Sequence, residues 1–205
     1  MLRSPITGTF NGVDSPGVLT PLSNLGTQRT RGFDIGAAYS LAFKDLGIDP
    51  KLGRLDFSLT ATRVTKSESQ PTPSSINRDC LGYYSVACGA PTFKTRFSQR
   101  TGWAVGDFVL SYNWRYLSAV KVEPISGTFL PAYSSIGAKS YVDLAAVWNV
   151  NKTLHFNVSV SNAFDKQPPI VGNNIGTTGT NSGNTFPQTY DVIGRFYTVG
   201  ATLRF

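Results

Sequence analysis

The sequence predicts an all-β chain, about seven antiparallel strands of the kind that wall a transmembrane β-barrel. Three observations carry this. Seven segments alternate apolar and polar residues with a period of two, the repeat of a strand with one face out of water. No segment shows the 3.6-residue period of an amphipathic helix, and the connections between segments are by turns short and long.

Composition agrees. Of 205 residues only 15% are charged, while 12% are aromatic and 20 are glycine, a mixture suited to strands and turns. The net charge is +7, but the basic residues are scattered singly, so nucleic acid is not an expected partner. The same charge suits the phosphate-bearing headgroups of a membrane. No stretch approaches the roughly 18 apolar residues of a spanning helix, which leaves a closed barrel as the structure able to cross lipid. The opening MLRSPITGTFNGVDSPGVLT has no apolar core of a signal peptide.

Taken in order, GFDIGAAYSLAF sets Phe33, Ile35, Ala37, Tyr39, Leu41 and Phe43 against Asp34, Gly36 and Ser40. RLDFSLTATRV sets Leu55, Phe57, Leu59 and Ala61 against Asp56, Ser58, Thr60 and Thr62. FKTRFSQRTGW is weaker, with Phe93, Phe97 and Trp103 opposite Lys94, Arg96, Ser98 and Arg100. FVLSYNWRYL places Phe108, Leu110, Tyr112, Trp114 and Tyr116 on one face, and YVDLAAVWNV does the same with Val142, Leu144, Ala146 and Trp148. TLHFNVSVSN alternates Leu154, Phe156, Val158 and Val160 with His155, Asn157, Ser159 and Ser161. The seventh, GRFYTVGATLRF, alternates back from Phe205 through Leu203, Ala201, Val199 and Tyr197. Charges fall on the polar parity throughout; the exceptions, Arg63 and Arg195, are expected at strand ends. Large aromatics gather near segment ends, as at the two interfaces of a membrane barrel.

The short connections follow the first, third and fifth segments; the long ones follow the second (KSESQPTPSSINRDCLGYYSVACGAPT), the fourth (AVKVEPISGTFLPAYSSIGAKS) and the sixth, from Phe164 to about Ile193. Short periplasmic turns and long extracellular loops alternate in this way in outer-membrane barrels. Face matching fixes the parity of each hairpin, because a slip of one residue reverses every side chain. An even loop, Ala104 to Asp107, is expected between the third and fourth segments. An odd one, Val150 to Lys152, is expected between the fifth and sixth, with Trp148 opposite Leu154, Ala146 opposite Phe156 and Leu144 opposite Val158. With the last strand running toward the periplasm, residues 1–28 are an extracellular loop remnant and 29–205 hold the strands.

TRGFDIGAAYSL, the run into SNAFDKQPP and the close YDVIGRFYTVGATLRF resemble the C-terminal part of a TonB-dependent outer-membrane receptor, over roughly residues 26 to 205. The resemblance implies a fragment of a barrel of about 22 strands, without the plug domain, located in the outer membrane. It implies energy-coupled uptake of a scarce ligand such as a siderophore, cobalamin or a sugar, with the energy complex acting through the plug. It also makes Phe205, Leu203, Ala201, Val199 and Tyr197 the signal read by the barrel-assembly machinery, and outer-membrane lipid and the missing strands further partners.

Cys80 and Cys88, within DCLGYYSVAC, are too few for a metal site, and a local disulfide suits an oxidising envelope, with free thiols the alternative. His155 is the single histidine; the expected register leaves it about 13 Å along the strands from Asp143, beyond hydrogen-bond reach. With no nucleophile, metal or phosphate motif present, no enzyme activity and no cofactor are expected. Arg96, Arg100, Arg115 and Asp143 are lumen-facing candidates, lining a ligand path, gripping a plug, or pairing along the wall, the last preferred. Tyr83, Tyr84, Phe129, Tyr133 and Phe186 in the loops either meet ligand or pack on one another. Two rival readings are a secreted carbohydrate-binding β-sandwich and an outer-membrane enzyme barrel.

Overall fold

The computed structural model describes residues 24–127, 131–172 and 184–204. Among them the chain is all-β, with short 3-10 turns and no α-helix. Strands β1 (Thr27–Ala42), β2 (Arg54–Gln70), β5 (Thr95–Val105), β6 (Phe108–Leu117), β9 (Lys139–Asn149), β10 (Leu154–Ser161) and β11 (Phe196–Leu203) form one antiparallel sheet in chain order. The short β3 (Arg78–Asp79) pairs with the upper end of β2. Apart from this sheet, β4 (Tyr83–Tyr84), β7 (Val120–Val122) and β8 (Ser135–Ile136) make a three-stranded sheet of their own.

Apart from one register shift between β1 and β2, at Arg31/Gly32, the pairings of the large sheet run in unbroken register. Leu41, Leu55, Trp103, Leu110, Ala146, Val158 and Val199 lie in one continuous row across the seven strands. The adjacent row on the other face reads Ser40, Asp56, Gly102, Ser111, Ala145, Ser159 and Thr198. Cross-strand contacts between such side chains are the unit of sheet stability, so one face is mostly apolar, interrupted by Gln99 and Thr101 on β5, and the other is mostly polar. Among the described residues no second layer covers the apolar face, and Phe33, Tyr39, Val158 and Val199 on it are exposed.

Aromatics bracket that face. Toward the long connections Phe97 stacks on Tyr116 at 5.1 Å and meets Trp114 edge-on at 4.8 Å. Toward the short turns Trp148 stacks on Phe108 at 5.8 Å and lies 6.1 Å from Phe156, while Trp103 Nε1 donates to the Leu52 carbonyl at 2.8 Å. From Phe108 to Tyr116 the strand covers about 27 Å, which a tilt of about 40° reduces to roughly 20 Å along the barrel axis.

The structure corrects four details. The β5–β6 hairpin has a two-residue turn, Gly106 and Asp107, not the four-residue loop Ala104 to Asp107: Val105 pairs with Phe108, and Gly106 takes the positive φ of 53° that such a turn requires. In the β9–β10 hairpin the loop is Asn151, Lys152 and Thr153, so Trp148 faces Phe156 and Ala146 faces Val158, two residues away from the expected register. The cause is local. Asn151 Oδ1 accepts from Thr153 N, Thr153 Oγ1 and Leu154 N, which pulls the turn one residue onward while preserving its odd parity.

The other two corrections concern β1 and β2, which extend well past the apolar alternation, to Thr27 and Gln70, so that KSES is strand rather than loop and Arg63 sits inside β2 rather than at its end. Polar residues carry this extension, so no hydrophobic period marks it. The described parts of the long connections are folded too, as set out below. Replacing Asn151 with Ala should lower stability by about 1–2 kcal/mol through loss of its turn bonds, whereas Lys152→Ala should be nearly neutral; urea unfolding of the two variants measures the difference.

Candidate functional site

Three long connections meet at one end of the sheet. Tyr84, Phe93, Val120, Val122, Ile136, Tyr141, Val171, Phe186 and Tyr190 form a buried core with contributions from each of them. Tyr84 lies edge-on to Phe186 at 5.5 Å and donates its hydroxyl to the Tyr133 carbonyl at 2.7 Å; Phe93 lies edge-on to Tyr190 at 6.2 Å. Tyr84 and Phe186 are thus packed inward, while Tyr133 contributes its backbone and keeps its ring exposed. Tyr83 is half-buried in β4, and Phe129 lies outside the described residues.

A buried carboxylate organises the polar side of this cap. Glu123, 2% exposed, accepts from Arg78 Nη1 and from Ser85 Oγ, both at 2.7 Å. A buried charge is tolerated only when paired and hydrogen-bonded. Cys80 and Cys88 are joined as a disulfide beside Ser85, whose Oγ also accepts the Cys88 N–H at 2.9 Å.

The cap is tied to the sheet by one guanidinium. Arg115 on β6 donates through Nε and Nη2 to Asp143 on β9, at 2.9 and 3.1 Å, and through Nη1 and Nη2 to Asp191 in the third connection, at 3.1 and 2.6 Å. Its planar fork, five donors in fixed geometry, serves two carboxylates where an ammonium could not. The guanidinium also lies over the Tyr141 ring at 5.1 Å. Asp143 is completed by the Asn162 N–H at 2.9 Å and Asn113 Nδ2 at 3.4 Å. Asn162, at φ 49°, closes the SNAFDK turn onto Lys166 through both side-chain atoms, and Asp165 accepts the Arg195 N–H at 2.9 Å, joining the two ends of the third connection.

Between cap and sheet lies a cleft of about 360 Å³, lined by Thr60, Thr62, Arg96, Ser98, Arg115, Tyr141 and Thr189. Below it Arg100, Asn113, Asp143 and Ser159 line a second hollow of about 300 Å³ on the polar face. Arg115 and Asp143 are paired, but among the described residues no side chain is hydrogen-bonded to Arg96 or Arg100. Arg100 shares a row with Asn113 and Asp143, and Asn113, bonded to Ser98 and Asp143, stands between the two charges. A larger hollow, about 500 Å³, opens on the apolar face among Leu110, Tyr112, Leu144, Ala146 and Val158, and carries almost no polar group.

His155 sits at the opposite end of the sheet, Nδ1 2.7 Å from Asn149 Oδ1. The corrected register pairs Ser159 with Ala145 rather than Asp143, so His155 and Asp143 are further apart than the sequence implied. Tyr197, Val199, Ala201 and Leu203 lie on the apolar face of β11, paired with Val160, Val158, Phe156 and Leu154; Phe205 lies outside the described residues. Among the described residues no three metal-ligating side chains come together. Asp191 and Glu123 escaped the sequence reading because both stand in long connections, where no period announces a partner.

Together these features define a class: a seven-strand stretch of antiparallel barrel wall, apolar on one face, polar on the other and capped at one end. The chain matches no family model and no curated protein. Solved structures share its fold. It is similar to a mutant of the ferric enterobactin receptor of Pseudomonas aeruginosa, TM-score 0.54, with 16% identity over 86% of this chain. It is also similar to the ferric-catecholate import receptor Fiu of E. coli K12, TM-score 0.55, with 17% identity over 100% of this chain. The chain spans 22% and 23% of the lengths of those two receptors.

Two outcomes are expected at this end of the molecule. Arg115→Gln should cost about 2 kcal/mol and free the third connection for proteolysis, since two carboxylates lose a charged donor; Arg115→Lys should recover at most half, read by unfolding and by limited digestion. Burial pushes the Tyr84 phenol up to about 12 from the usual 10.0, and burial also raises Tyr190. The folded state therefore holds a proton the unfolded chain releases, so this contribution is full below pH 10 and is lost as pH rises through about 12. Phenolate absorbance should show late-titrating tyrosines, one fewer in Tyr84→Phe.

Proposed function

We propose that the chain is part of the wall and outer mouth of a TonB-dependent outer-membrane receptor, its C-terminal stretch, serving the energy-coupled uptake of an anionic ferric siderophore. The observation that carries the reading is the pairing of an uncovered apolar face, bracketed by two aromatic clusters, with a polar face whose open end is capped by folded loops. Such a sheet belongs against lipid on one side and around a polar lumen on the other. A soluble sandwich would bury this apolar face under a second sheet, and no such sheet lies over it among the described residues.

On this reading Arg96, Arg100, Arg115 and Asp143 face the lumen with His155 far below them. Arg115 and Asp143 are wall and latch, whereas Arg96 and Arg100 supply positive charge with no side-chain partner among the described residues, which favours a ferric catecholate over cobalamin or a neutral sugar. The terminal apolar set of β11 serves recognition by the assembly machinery, and a plug domain would transmit the energy complex's action. Titrating the vesicle-embedded chain with a ferric catecholate should quench tryptophan fluorescence, and Arg96→Gln with Arg100→Gln should weaken binding about tenfold. Equal affinity in wild type and double variant, or preference for a neutral sugar, would overturn the assignment.

A further inference from the structure

Above the upper aromatic cluster the apolar face changes sign. On β1 the odd-numbered set runs Leu41, Tyr39, Ala37, Ile35 and Phe33, and then continues without a break into Arg31 and Arg29. On β2 the same face runs Leu55, Phe57, Leu59 and Ala61 into Arg63, which is paired with Phe33 and donates to Thr95 Oγ1 at 2.6 Å. A bulge follows. Gly32 pairs with Val64 and Arg31 with Lys66, leaving Thr65 unpaired in the ladder with its Oγ1 bonded to the Arg31 carbonyl at 3.3 Å.

The extra residue resets the parity of β2. Without it, Lys66 would fall on the polar face; with it, Lys66 stands directly opposite Arg31 on the outward side. Glycine is needed at position 32, where a Cβ would lie 2.6 Å from the Arg63 carbonyl oxygen. Like charges facing each other across a ladder destabilise it, and here three cations, Arg31, Arg63 and Lys66, share one outward rim with Arg29 a row higher. Two carboxylates are near. Glu68 is held by Lys66 at 2.9 Å, and Asp79, opposite Glu68, accepts the Leu81 N–H at 3.0 Å. Arg29 stands directly opposite Glu68, whose carboxylate attracts it, whereas Arg31 and Arg63 are exposed and form no ion pair among the described residues.

We propose that Arg31, Arg63 and Lys66, with Arg29 above them, form a binding site for the phosphate groups of a phosphorylated glycolipid headgroup in the outer leaflet. Charge and level both fit. The cations stand just beyond an apolar band against which acyl chains would lie, where a headgroup carries its phosphates, and guanidinium groups bind phosphate through paired N–H donors. Glu68 is a single carboxylate serving Lys66 and facing Arg29, so an anion beside Arg31 and Arg63 would offset the charge that remains. The inference rests on the membrane-wall reading above.

The test uses the full chain with phosphatidylcholine vesicles containing either bisphosphorylated lipid A or its dephosphorylated form, with flotation reporting insertion and lipid retained per chain after detergent extraction reporting binding. The wild type should float in both and retain the bisphosphorylated lipid selectively. The triple variant Arg31→Gln, Arg63→Gln, Lys66→Gln should float equally and retain it about a hundredfold less tightly, roughly fivefold per cation removed. Lys44→Gln with Lys152→Gln, at the opposite end of the sheet, should behave as wild type. Equal retention of both lipids, no effect of the triple variant, or displacement by millimolar inorganic phosphate would overturn the site while leaving the wall reading intact. A wild-type chain that fails to float would overturn both.

Discussion

The structure depends on phase. Each of the six strand junctions joins outward residues to outward residues, so a row such as Leu41, Leu55, Trp103, Leu110, Ala146, Val158 and Val199 crosses the entire sheet without a break. The pleat has a period of two, and any odd slip at one junction would turn every strand beyond it inside out. Turn lengths are therefore constrained to a parity while their exact extent stays free. Gly106 and Asp107 close one hairpin with two residues, and Asn151 draws a three-residue loop in the other. The Thr65 bulge is the one place among these strands where the phase is deliberately broken, and it lies beyond the apolar band, where inverting the faces costs no hydrophobic contact.

Above the sheet, stability comes from a different source. The cap has a small apolar core, a buried Glu123 satisfied by Arg78 and Ser85, and a disulfide ring beside them. Its attachment to the wall is electrostatic and directional, through Arg115 between Asp143 and Asp191. The two carboxylates could not approach one another without that guanidinium, and the guanidinium could not sit beneath the cap without them. Arg96 and Arg100 stand on the same face without such partners among the described residues, so the polar surface there separates into a structural pair and two available cations.

Much of the wall was legible because its physics is periodic. Phe33 to Leu41 and Leu154 to Val160 each declare a face, and the alternation of connection lengths declares an up-and-down order. What the period cannot show is where a strand continues in polar residues, as from Thr27 to Arg31 and from Lys66 to Gln70, because a ladder of backbone bonds needs no apolar side chain. Two-residue register offsets are equally silent, since they preserve parity. The site was half legible. Arg115 and Asp143 share the polar parity of neighbouring strands, but Asp191 reaches them from a long connection through tertiary contact alone.

The cap core also sets an order of events. Tyr84 and Phe186 touch although about a hundred residues separate them, and Val120 and Ile136 come from the connection between. The first two connections supply Tyr84, Phe93, Val120, Val122 and Ile136 and share the β4–β7–β8 sheet, and the third adds Val171, Phe186 and Tyr190. The core is complete only when that last connection is in place. The cap is therefore a record of completion: a rigid mouth reports that all three loops, and the strands that deliver them, have reached their final neighbours.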